Sequence, residues 1–228
     1  VDVDLGVGLR GIEVVREAAD RLGGAVDVEI VAFPQDGVVR RPGVLDLLDE
    51  AAAAGAASIG GIDPAGIDRD PVAQLDGLFG IAERRGVGLD IHLHDHGELG
   101  AFQFELIADR TVRAGLQGRV TILHGFALGE LPVPRQRELL ERFEEAGISW
   151  ATVAPPGTAP LPWREMAGRG IGLGLGTDGI RDLWSPFGTG DMLAATCTIW
   201  SPAPPPTRCS STRRTSPTRW SAAPSGSS

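Results

Sequence analysis

The stretch GVGLDIHLHDHGELGAF, residues 86–102, holds three of the chain's four histidines, His92, His94 and His96, with Asp90 and Asp95 among them. Read as a strand, its period of two puts Asp90, His92 and His94 on one face and Ile91 and Leu93 on the other. The apolar face suits packing against helices. A polar face turned inward needs partners, because an unpaired buried polar group costs about 1–3 kcal/mol. Several imidazoles can be satisfied together by one divalent metal ion; the competing reading is a hydrogen-bonded surface turn. The fourth histidine, His124, ends the run GRVTILH, and Asp178 follows IGLGLGT. Two further donors at the ends of two further strand-like runs favour the metal.

These donors need a frame. Candidate strands are Val1–Asp4, Val28–Phe33, Ala57–Ile62, Leu89–His94, Val120–His124, Ser149–Val153 and Ile171–Gly176. Amphipathic segments such as LRGIEVVREAADRLG, GVLDLLDEAAAAG, PVAQLDGLFGIAERRG, ELGAFQFELIADRTVRAG and PRQRELLERFEEAG separate them. Gly55, Gly86, Gly115 and Gly147 stand where helices close in the left-handed conformation. Regular alternation predicts an α/β fold with a parallel sheet, doubly wound or closed into a barrel. Gln35, Asp63, the histidine cluster, His124 and Asp178 all sit at strand ends. Several strand ends converging on one site suit a (β/α)8 TIM barrel better than an open sheet with a single switch point. Seven strands are one short of eight, so the barrel is expected to lack its first strand.

The bulk composition narrows the partners. A formal charge of −9 over 228 residues disfavours nucleic acid and anionic membranes. No apolar run reaches the roughly 18–20 residues of a membrane span, and the opening does not read as a signal peptide, so a cytoplasmic protein is expected. Cys197 and Cys209 form neither a CxxC site nor a disulfide framework. A rival reading comes from GVGLRG, residues 6–11, which fits the G-x-G-x-x-G fingerprint of an NAD-binding Rossmann oxidoreductase. The acid that fingerprint wants at the end of the next strand is missing: Asp27 and Glu29 precede it, and the end reads FPQD. The chain has no Lys, Asn or Tyr, the mark of a GC-rich gene. From Thr196 on, Ser, Thr, Pro and Arg dominate and no Asp or Glu occurs. Residues 196–228 are therefore expected to be a disordered tail or an out-of-frame reading, and residues 1–195 the incomplete barrel, strands two to eight.

Five segments carry a resemblance: IVAFPQDG (30–37), IGGIDP (59–64), DIHLHDHGELGAF (90–102), GRVTILHGFALG (118–129) and GLGTDGIRDLWSPFGTGDML (174–193). In this order they resemble the metal-dependent amidohydrolase superfamily, in its cytosine deaminase-like branch and nearest the triazine-ring aminohydrolases. The resemblance implies a deaminase or aminohydrolase that removes an exocyclic amine from a small nitrogen heterocycle, using water activated by one Zn²⁺ or Fe²⁺. His92 then matches a metal ligand. Asp178 matches an aspartate that touches the metal and handles the water's proton, and His124 a histidine that ligates the metal or hydrogen-bonds its water. Asp95 stands where cytosine deaminases carry a proton-shuttling Glu, and His94 matches a histidine given that duty in the triazine branch. Gln35 matches a residue that reads the ring's amide edge, and Trp184 one near the substrate pocket. The superfamily's first-strand His-x-His has no counterpart before residue 92, and its small β-sandwich is absent too. The sequence thus reads as a fragment, with poor metal affinity and activity expected; a catalytically dead chain is the alternative. A homo-oligomer is left open for the full-length parent.

Overall fold

Among the described residues, six parallel strands alternate with helices: β1 Val31–Ala32, β2 Ser58–Ile62, β3 Gly88–Leu93, β4 Val120–His124, β5 Ser149–Thr152 and β6 Leu173–Leu175. This computed structural model describes residues 1–153, 155, 158–181 and 190–191. Trp184 and the segment 196–228 lie outside the described residues. The strands pair in sequence order, β1 to β6, every pair parallel. A doubly wound sheet reverses its strand order at a switch point. No reversal occurs among the described residues, so the order is that of a barrel wall and not of a Rossmann sheet. The expected strand Val1–Asp4 is reduced to one bridge, Asp2 to Phe33. Beside it, the Val3 N–H donates to the Phe33 carbonyl at 2.8 Å and the Phe33 N–H to the Val1 carbonyl at 2.9 Å. GVGLRG runs through a turn into a helix.

The helices are α1 Arg10–Arg21, α2 Val44–Ala53, α3 Pro71–Arg85, α4 Gly97–Arg113, α5 Ala127–Glu130, α6 Val133–Ala146 and α7 Trp163–Gly168. Five of them take the five amphipathic segments; the short α5 and α7 lack enough turns to show a period. Local chemistry sets their ends. In α3, Asp70 accepts from the Ala73 N–H at 2.9 Å, Pro71 occupies the first turn, and Gly86 closes the helix at φ 66°.

On the helix-facing side of the sheet, Leu89, Ile91 and Leu93 of β3 and Val120 and Ile122 of β4 are buried. Trp150 of β5 meets Phe104 of α4 and Phe143 of α6, each at a centroid distance of 5.2 Å. Burying each such side chain contributes roughly 1.5–3 kcal/mol. The other face of the sheet keeps the polar residues. Among the described residues, no helix is long and apolar enough to cross a membrane.

Candidate metal centre

The alternation of β3 delivers the first imidazoles. With Leu89, Ile91 and Leu93 committed to the helices, Asp90 and His92 look to the opposite face, and His94 follows at the strand's end. The Asp90 carboxylate lies 3.3 Å from His92 Nε2, which leaves Nδ1 free to face His124. Phe33, at the end of β1, covers the His92 ring at a centroid distance of 4.2 Å.

His124 arrives differently. Its place in β4 would send it toward the helices with Val120 and Ile122. Its backbone instead takes φ 63°, a left-handed value that costs a non-glycine residue about 1–2 kcal/mol. That turn breaks the pleat and carries the ring to the strand's mouth. There His124 Nε2 lies 3.3 Å from His92 Nδ1. Its carbonyl is held by the Trp150 indole N–H at 3.1 Å.

His94 is fixed by a residue from the end of β2. Asp63, itself at φ 32°, accepts the His94 backbone N–H at 2.5 Å and the ring Nδ1–H at 2.9 Å. An ionised carboxylate can only accept, so a proton sits on Nδ1 and Nε2 is the nitrogen left to gain or give a proton. The hydrogen bond to Asp63 raises the His94 pKa against the effect of burial. Burial alone would raise the Asp63 carboxyl; the hydrogen bonds from the His94 ring and backbone outweigh it and hold that carboxyl below the ordinary value. His124 goes the other way: burial first, then the neighbouring His94 and His92, push its pKa down to about 3.

His92, His94 and His124 each place a ring nitrogen within 4.8 Å of the others, a trio that could hold a metal ion. One observation fits such an ion. The 3.3 Å between the His92 and His124 nitrogens is close to the edge of about 3.4 Å expected for two imidazoles on one tetrahedral Zn²⁺. The three rings line a cavity of about 550 Å³ together with Gln35, Phe33 and Asp178. Asp178 stands at its rim, 61% exposed, with Oδ2 3.9 Å from His124 Nε2.

The structure thus brings His92, His94, His124, Gln35 and Asp178 to one cavity, with His94 rather than Asp178 in the compact nitrogen cluster. Asp95 is turned elsewhere: its carboxylate accepts from the Gly66 N–H at 3.0 Å and the Gln103 side-chain amide at 2.8 Å, and it does not line the cavity. Its charge nonetheless reaches the His94 ring and is one of the causes that raise that ring's pKa. His96 pairs with Glu130 at 2.6 Å, on the surface. Sequence reasoning missed the pairing of Asp63 with His94 and the stacking of Phe33. The available signal was an acid at a strand end, which does not say what it touches.

Residues 8–208 match the amidohydrolase family. The chain is 32% identical over 193 residues to N-isopropylammelide isopropyl amidohydrolase of Pseudomonas sp. (strain ADP), covering 85% of this chain and 48% of that protein. It superimposes on N-isopropylammelide isopropylaminohydrolase from Burkholderia multivorans with a TM-score of 0.83 at 45% identity, over 87% of this chain and 51% of that one. 5-Methylcytosine deaminase from Klebsiella pneumoniae, 23% identical, shares the fold at a TM-score of 0.73 over 87% and 52% of the two chains. The chain therefore spans about half the length of the relatives it matches, and its six strands correspond to part of an amidohydrolase barrel. By the family model, which matches most of its length, it belongs to the amidohydrolase family.

Proposed function

We propose that the protein hydrolyses an exocyclic carbon–nitrogen bond on a planar nitrogen heterocycle of the cytosine or triazine kind, releasing ammonia or an alkylamine. The observation that carries this reading is the meeting of three imidazoles in one cavity with a glutamine amide at its wall. The similarity to isopropylammelide hydrolases supports the substrate class.

His92 and His124 would hold a divalent ion, Zn²⁺ or Fe²⁺, and Asp178 would join them from the rim. When bound, such an ion lowers the pKa of a coordinated water from about 15.7 to about 7. Asp178 takes the proton released as water adds to the ring carbon. His94, oriented by Asp63, delivers a proton through Nε2 to the ring nitrogen or the departing amine. A proton carrier so placed typically contributes about 10²–10⁴-fold. Gln35 offers a donor and an acceptor together, which suits the amide-like edge of a heterocycle. Trp184 is retained as a substrate contact on the ground of its motif.

The test is amine release from N-isopropylammelide and from cytosine by the chain supplied with Zn²⁺ or Fe²⁺. Slow, metal-dependent release that disappears in His92→Asn supports the proposal. Release that continues without metal, survives His92→Asn, or is absent with both heterocycles would overturn it.

A further inference from the structure

The β2–α3 loop, residues 63–70, carries three carboxylates with three different partners. Asp63 holds His94, and Asp70 caps α3. Asp68 reaches a separate stretch of chain. Only 9% exposed, it accepts the Val38 N–H with both oxygens at 3.1 Å, the Val39 N–H at 2.9 Å and the Arg40 N–H at 3.3 Å. It also accepts the Gln74 side-chain amide at 2.7 Å. Consecutive N–H groups pointing at one anion form a nest, a concavity that ordinarily binds a phosphate or similar ligand. Here the protein supplies the anion.

The nest begins where the turn bearing Gln35 ends. The Gly37 N–H donates to the Pro34 carbonyl at 3.0 Å, closing the turn with Gln35 inside it. Gly37 takes φ +95°, and a Cβ there would fall 2.5 Å from Asp68 Oδ1, so the nest closes only around glycine. Gln35 itself is exposed and lines the cavity. Among the described residues no hydrogen bond holds its side chain, so its place depends on the backbone that carries it. Gln74, fully buried, links the same Asp68 to the Ile62 carbonyl at 3.1 Å, beside Asp63. One loop thereby fixes both the histidine and the turn of the glutamine.

We propose that Asp68 is a positioning residue that sets where Gln35 presents its amide, and so helps decide which heterocycle fits, from outside the cavity. This rests on the reading of Gln35 as the residue that meets the ring.

The experiment uses the whole chain with two substitutions, Asp68→Asn and Gly37→Ala. The first sets an amide NH₂ against N–H donors; the second keeps the carboxylate and forces the nest off it. Four quantities are read: hydrogen exchange at the Val38, Val39 and Arg40 amides, the Gln35 side-chain amide resonance, affinity for N-isopropylammelide and for cytosine, and Zn²⁺ binding. Losing one charge-assisted hydrogen bond corresponds to about tenfold in an equilibrium. Both variants should speed exchange at the three amides by about tenfold or more, shift the Gln35 resonance, alter the ratio of the two heterocycle affinities and leave Zn²⁺ binding unchanged. Faster exchange with an unmoved Gln35 resonance would reduce Asp68 to a loop fastener and sink the proposal. An unsubstituted chain that binds neither heterocycle would refute the role given to Gln35, while exchange and resonance still decide the clamp. Should Asp68→Asn fail to fold, Gly37→Ala alone decides between these outcomes, and fast exchange of the three amides in the unsubstituted chain would refute the clamp outright.

Discussion

The carboxylate of Asp63 grips His94 twice, at the backbone N–H (2.5 Å) and at ring Nδ1 (2.9 Å), across 31 residues of sequence. Both bonds involve a charged acceptor, a class worth about 1.5–3 kcal/mol each in stability. Asp63→Ala removes the first cause of the raised His94 pKa and leaves burial opposed only by the charges of Asp178 and Asp95. In metal-free protein the His94 ring should then titrate at a lower pH than in the unsubstituted chain, as followed by ring-proton NMR. An unchanged titration would show that the contact does not govern the ring.

Metal-free protein should also lose stability in mild acid, for a reason centred on His124. Its folded pKa of about 3 lies below the ordinary 6.5. Between those values the unfolded chain binds a proton that the folded chain refuses, so stability falls as pH drops from about 6.5 toward 3. His94 works oppositely, since its raised pKa favours folding at low pH and that contribution is lost as pH rises through the folded value. Asp63, lowered from 3.8, acts only in stronger acid. Denaturant unfolding in chelator at pH 4, 5, 6 and 7 should give a rising series, and His124→Gln should flatten it. An equally steep series in the variant would assign the slope to other groups.

How far the sequence foretold this site differs from residue to residue. The period of two in DIHLH already separates Ile91 and Leu93 from Asp90 and His92, because a strand admits only two faces. The helix-ending glycines were equally plain: Gly55, Gly86, Gly115 and Gly147 all take positive φ. His124 is harder, since alternation alone would bury it with Val120 and Ile122, and only the left-handed φ brings its ring to the cavity. Asp63 is harder still. Its contact to His94 depends on strand register, Ile62 lying opposite His92, and no local pattern encodes that. Asp95 matches a motif position, but no local pattern says that its carboxylate bonds to Gly66 and Gln103 while its charge reaches His94. Trp184 lies outside the described residues.

A glycine next to His124 carries a stability prediction. Gly125 has φ +57°, and a Cβ built there would lie 2.0 Å from Trp150 Cζ2. Trp150 is 1% exposed and donates its indole N–H to the His124 carbonyl. Gly125→Ala must therefore push the indole out of its place or move the His124 backbone. Overpacking of this kind costs about 1–3 kcal/mol, and the positive φ adds to it. A lower unfolding midpoint together with weaker Zn²⁺ binding is expected, because the indole steadies the backbone that aims the ring. A lower midpoint with unaltered Zn²⁺ binding would uncouple the indole from the site.

The division of labour among the three imidazoles yields the sharpest test. His92 and His124 face each other through ring nitrogens 3.3 Å apart, whereas the Nδ1 of His94 is spent on Asp63. A ring whose pKa is raised holds its proton more tightly, which suits proton delivery and opposes ligation. Cobalt(II) added to the chain should thus give a visible spectrum that fades in His92→Asn and in His124→Asn. His94→Gln should keep that spectrum while amine release falls by about 10²-fold or more. A His94→Gln chain that loses the cobalt spectrum as fully as the other two would make His94 a third ligand. The proton to the ring would then have to come from Asp178 or from solvent.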